Sequence, residues 1–89
     1  MGISDIRIKL VNNDERKLKA FASFTIDDCF VVHDVRVIDG SNGLFVAMPS
    51  KLAPNGDHID IVHPKNTATR ELINSAILEA YEQAKNSQE

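Results

Sequence analysis

The sequence predicts an α+β domain: an antiparallel sheet of four to five strands over residues 3–62, followed by one C-terminal helix over residues 66–86. Three observations predict it. Residues 3–11 and 18–26 alternate apolar and polar with the two-residue period of a half-buried strand. Clusters of Asp, Gly, Asn and Pro interrupt the chain at 27–28, 39–43 and 54–57, where strands reverse. After Pro64 the apolar spacing changes to the steps of three and four that make one stripe on a helix.

The first strand sets Ile6, Ile8 and Leu10 against Asp5, Arg7 and Lys9. A polar run, 12–17, leads into the second, with Leu18, Ala20, Ala22, Phe24 and Ile26 opposite Lys19, Phe21, Ser23 and Thr25. Asp27 and Asp28 make a tight turn into a third strand, Cys29 to Ile38. Both of its faces are mainly apolar: Val31, Val35 and Val37 on one, Phe30, Val32 and Ile38 on the other. Gly40 and Gly43 can take positive φ, so 39–43 turns into a fourth strand, Leu44 to Met48, also two-sided. Pro49 cannot donate to a ladder, and Pro54-Asn55-Gly56-Asp57 is a turn sequence, so 49–57 is a loop or irregular hairpin before a short strand, His58 to Val62. Asn66 or Thr67 caps the helix, whose stripe is Leu72, Ile73, Ala76, Ile77, Ala80, Tyr81 and Ala84; Glu71 and Lys85 suit its dipole.

A chain of 89 residues, 43% hydrophobic and 26% charged, has the size of a single domain, here 1–89, with a thin core of its own. One cysteine cannot form an internal disulfide, which suggests a reducing compartment; Asp5, Arg7 and Lys9 stand where a signal peptide would be apolar. The expected location is cytoplasmic, without membrane association. A net charge of −3 and a pI near 5.5 lack the bulk basicity of most nucleic-acid binders. One helix covers one face of a sheet, so the two-sided strands predict a homodimer packed through the sheet or through exchanged strands.

The run His33-Asp34-Val35-Arg36-Val37-Ile38-Asp39-Gly40, then Asn42-Gly43-Leu44-Phe45-Val46-Ala47-Met48-Pro49-Ser50-Lys51, resembles the stage V sporulation protein G family of bacteria, the septation regulators. Ser4-Asp5-Ile6-Arg7 is similar to that family's opening strand. Asp60-Ile61, His63-Pro64, Asn66, Thr69 and Arg70 are similar to its strand-to-helix junction. The resemblance covers residues 3 to about 82. It implies a homodimeric cytoplasmic regulator of septation, sporulation or other gene expression that binds DNA and RNA, with no enzymatic activity. Where the family usually has arginines, this chain has Leu52 and Ile59, and each replacement removes a potential partner for a phosphate.

The candidate nucleic-acid-binding residues are Arg7, Lys9, Arg16, Lys17, Lys51, Lys65 and Arg70. In the first nineteen residues five basic side chains, Lys19 included, face three acidic ones; the remainder carries five against ten. Such a local positive face steers a polyanion within a Debye length, roughly 8–10 Å. The competing reading is an ordinary solvated hairpin. Lys51 sits in a Pro-flanked loop, and Lys65 and Arg70 bracket a helix start that favours anions. Arg70 could equally pair with a nearby carboxylate.

No cofactor, metal or small-molecule substrate is expected. On an extended strand His58 and Asp60 share a face but His63 points away, against a metal site. His33 and Asp34 would fall on opposite faces, and Cys29 lies about 13 Å from His33, too far for a nucleophile and its base. Asp34 and Arg36 would share a face and form a buried or interfacial ion pair. A protein-interaction regulator that never touches nucleic acid is the alternative to the leading reading; an enzyme ranks last.

Overall fold

The computed structural model describes residues 2–11 and 17–87. The alternating segments become β1 (Ile3–Leu10), β2 (Leu18–Ile26), β3 (Phe30–Gly40) and β4 (Gly43–Ala47), one antiparallel sheet in the order β1-β2-β3-β4. Beyond it lie β5 (Ser50–Leu52), β6 (His58–Asp60) and α1 (Thr67–Ser87). The α+β layout and the C-terminal helix are as the periodicity predicts.

The reversals follow from local chemistry. Asp27 (φ 50°) and Asp28 (φ 59°) are consecutive left-handed residues, and the N–H of Cys29 donates to the carbonyl of Ile26 at 3.1 Å. This is the type I′ geometry that matches strand twist, and short Asp side chains tolerate it. At the next turn Gly40 pairs with Gly43, and Gly43 alone of the two takes a positive φ, 112°.

The core lies between the sheet and α1: Ala20, Ala22 and Phe24 of β2 and Val32, Val35 and Val37 of β3 pack with Ile73, Ile77 and Tyr81. Ile6, Ile8 and Leu10 of β1 and Val46 of β4 close its margins. Burying each large apolar side chain stabilises by about 1.5–3 kcal/mol.

Three bulges reset which residues reach that core. On β3, Ala22 pairs with Val35 but Phe24 pairs with Val32, so His33 and Asp34 together stand opposite Ser23, with Asp34 at φ 62°. A residue inserted on one strand shifts the inward phase by one. Val32 therefore joins Val35 and Val37 in the core, correcting the expectation that they face opposite ways. On β1 the same device at Asp5 (φ 49°) lets both Ile3 and Ile6 pack inward. On β2 the register slips between Leu18 and Ala20, and Leu18 pairs with Ile38, outside the core row.

The segment after Pro49 is a hairpin. β5 pairs with β6 as Ser50 with Asp60, Lys51 with Ile59 and Leu52 with His58. It forms a two-stranded sheet of its own, so the predicted five-stranded upper limit is not reached and the strand predicted over 58–62 stops at Asp60. Gly56 at φ 91° and a 2.7 Å bond from the N–H of Ala53 to the carbonyl of Asp57 close its turn.

Asn66 is the helix cap: its Oδ1 accepts the N–H of Thr69 at 2.8 Å. Ile73, Ile77 and Tyr81 recur every four residues and are the buried stripe. Leu72, predicted on that stripe, is 44% exposed, because it lies one step of about 100° from Ile73. No helix among the described residues is long and apolar enough to cross a membrane.

Candidate nucleic-acid interface

Directly paired residues of an antiparallel sheet share a face. The face turned away from α1 therefore carries the row Lys9, Phe21, Arg36 and Ala47 across all four strands. On one side of it runs Leu18, Ile38 and Phe45; on the other, Arg7 pairs with Ser23 beside the bulge at His33 and Asp34. Phe21 is 38% exposed and Phe45 47%.

Two depressions open on these rows. The first, about 250 Å³, is lined by Arg7, Lys9, Phe21, Ser23, His33 and Asp34 among others. The bulge thus brings His33 and Asp34 to one depression, correcting their assignment to opposite faces. Arg7 contacts Asp5 at 3.6 Å with both side chains well exposed, so the pair adds little stability and remains open to exchange. The second depression, about 300 Å³, is a cleft between sheet, hairpin and helix start, lined by Arg36, Ile38, Ser50, His58, Asp60 and Arg70 among others.

Arg36 does not pair with Asp34 as the strand alternation predicted. The bulge separates the two, and the guanidinium lies 6.0 Å from the ring centroid of Phe21, at the outer limit of a cation–π contact. Among the described residues, neither Arg36 nor Arg70 has a carboxylate within ion-pair distance. Arg36 escaped the sequence reading because only the register puts it beside Phe21 and in line with Lys9.

The candidates do not form one patch. Arg7 and Lys9 share the first depression; Arg70 lines the cleft. Lys17 is exposed, and its carbonyl accepts the N–H of Asp39 at 2.8 Å, tying the start of β2 to the end of β3. Arg16 lies outside the described residues. Lys51 is exposed on β5, not in a loop, because the hairpin pairs it with Ile59. Lys65 lines a separate, mainly apolar cavity of about 290 Å³ under the helix start, with Val62, His63, Pro64 and Ile73, so it is divided from Arg70. His63 lies there too, its Nδ1 3.0 Å from the carbonyl oxygen of Pro64, whereas His58 and Asp60 line the cleft. Cys29 is exposed in the β2–β3 turn.

A family model described as SpoVG matches residues 1–83. The chain belongs to the SpoVG family. It is 56% identical over 89 residues to "Putative septation protein SpoVG" of Clostridium acetobutylicum, covering 100% of this chain and 93% of that protein. Proteins of the same name from Brevibacillus brevis and Geobacillus thermodenitrificans are 53% identical over 89 residues and 58% over 81. These cover 100% and 91% of this chain and 93% and 83% of the relatives. Leu52 and Ile59 both map to the hairpin: Leu52 shares the face of Ser50, His58 and Asp60, and Ile59 the face of Lys51.

Proposed function

We propose that this SpoVG-family chain is a non-enzymatic cytoplasmic regulator that binds DNA or RNA as a homodimer and thereby affects septation, sporulation or other gene expression. The observation that supports it most is the gathering of Arg7, Lys9 and Arg36 on one sheet face of a chain whose net charge is −3. Local potential within a Debye length, not total charge, governs the approach of a polyanion. Lys51 and Arg70 add cations at the adjoining hairpin and cleft.

Dimerisation rests on the hairpin. An isolated two-stranded sheet is marginal in water, yet this one exposes Ile59 (49%) and, beyond its end, Ile61 (63%) at strand spacing on one side. Contact between two copies there would cover both isoleucines while the long side chain of Lys51, on the same hairpin face, reaches solvent at the rim, and it would leave the basic sheet face open, which argues against packing through the sheet.

The deciding experiment is salt-titrated binding to double-stranded DNA, single-stranded DNA and RNA. Retention with a log-linear loss of affinity in salt is the expected result. The exposed Ile59 and Ile61 on an acidic chain favour one rival, a regulator acting through a protein partner. Absence of retention at about 50 mM salt, where electrostatic binding is strong, would overturn the nucleic-acid reading in favour of that rival.

A further inference from the structure

Resting on the nucleic-acid reading above, we infer that the outer sheet face is a stacking platform for a single strand, with bases on Phe21 and Phe45 and phosphates held by Lys9, Arg36 and Arg70. Duplex binding needs cations alone, since the bases of a duplex are stacked on one another and present only edges in the grooves. Exposed aromatic side chains among the cations offer a stacking surface that an unpaired base uses without the unstacking cost a duplex incurs. A four-stranded sheet with outward aromatics is a general solution for stacking two or three bases.

The registers place the parts. Phe21 sits between Lys9 and Arg36 in one cross-strand row, and Phe45 pairs with Ile38 one row along. From strand and residue spacing the two aromatics are roughly 12 Å apart. The guanidinium of Arg36 lies over the ring of Phe21, 6.0 Å from its centroid, so a base stacks on Phe21 as Arg36 swings toward the phosphate, and it also lines the cleft that contains Arg70. A phosphate entering that cleft meets two guanidinium groups not neutralised by described carboxylates, although Asp60 lies at its wall. On the other side Asp34 lines the first depression and Asp5 lies beside Arg7, so the stretch with fewest acids, from Lys9 through Arg36 to Arg70, is the polyanion path.

A second copy is a poorer occupant of this face. Two-fold packing through it would place Lys9 and Arg36 of both subunits in one desolvated contact, and like charges there oppose association.

The test uses the full chain and end-labelled 12-nucleotide single-stranded DNA, RNA of the same sequence, and the corresponding DNA duplex, together with a single strand carrying the fluorescent base 2-aminopurine. The chain has no tryptophan to interfere. Expected results are tighter binding of the single strands than of the duplex, quenching of 2-aminopurine on binding, and about tenfold weaker single-strand binding by Phe21→Leu with unchanged salt slope. Arg36→Gln and Arg70→Gln should each lower the single-strand slope by about 0.7. Phe45→Leu, at a more exposed site, gives an independent reading of stacking. Preferential duplex binding, or folded Phe21→Leu and Phe45→Leu proteins that bind and quench like wild type, would overturn the platform while the nucleic-acid reading stands. Failure of wild type to bind any of the three would overturn both.

Discussion

A methyl group at Gly40 would come within 2.8 Å of Cε1 of Phe45, so the ring occupies the space a side chain at position 40 needs. Gly43, its pairing partner, has nothing within 4 Å and is required for a different reason, its φ of +112°. Gly43→Ala should destabilise by about 1–2 kcal/mol through backbone strain, whereas Gly40→Ala obliges the half-exposed Phe45 ring to rotate away and should cost less. Thermal melts of the two variants alone and combined with Phe45→Ala separate the causes: removing the ring should relieve Gly40→Ala and leave Gly43→Ala as costly as before.

Ile77→Asp should unfold the protein or lower its melting temperature drastically. Ile77 is 0% exposed in the centre of the core, and a carboxylate there has no partner, at a cost of several kcal/mol against a total stability of about 5–15. Leu72→Asp, five residues earlier on the exposed side of the same helix, should shift stability by no more than about 0.5 kcal/mol. Circular dichroism melts of the pair check the helix orientation.

Lys51→Ala and the double change Arg16→Ala/Lys17→Ala should weaken binding to all duplex sequences alike and flatten its salt dependence by about 0.9 for each phosphate no longer neutralised, with little change in base preference. Anisotropy titrations between about 50 and 200 mM salt read the slope. An unchanged slope would remove these residues from the interface.

Leu52→Arg should tighten binding and steepen the slope. Position 52 is 66% exposed and on the hairpin face shared with Ser50, His58 and Asp60, which line the cleft containing Arg36 and Arg70. Ile59→Arg, on the opposite hairpin face beside Lys51, should act less on cleft binding and more on association. The same titrations, run with both variants, distinguish the two faces.

Light scattering at micromolar concentration should give a dimer, with an interface of at least about 1,200 Å² in total. The double change Ile59→Asp/Ile61→Asp should yield a folded monomer, because it places charges where the two exposed apolar side chains would be covered. A wild-type monomer, or a dimer indifferent to this change, would move the interface away from the hairpin.

Elements whose causes are local are legible in the chain read alone. Two-residue alternation locates β1 and β2, the Asp27-Asp28 pair and Gly43 locate the reversals, and the four-residue recurrence of Ile73, Ile77 and Tyr81 behind the Asn66 cap locates the helix. Uninterrupted blocks such as His33 to Gly40 are enough to point to the family. Which way the side chains of β3 face is settled only when the strands pair. The left-handed residue Asp34 is an ordinary member of an alternating run until β2 pairs across it and leaves two residues opposite Ser23. That one insertion sends Val32 inward with Val35 and Val37 and separates Arg36 from Asp34, placing it instead beside Phe21. Likewise, the separation of the β5–β6 hairpin from the main sheet depends on a pairing partner, not on composition. Strand pairing couples residues far apart in the chain, so register and bulges are properties of two segments together, and no single segment's pattern contains them.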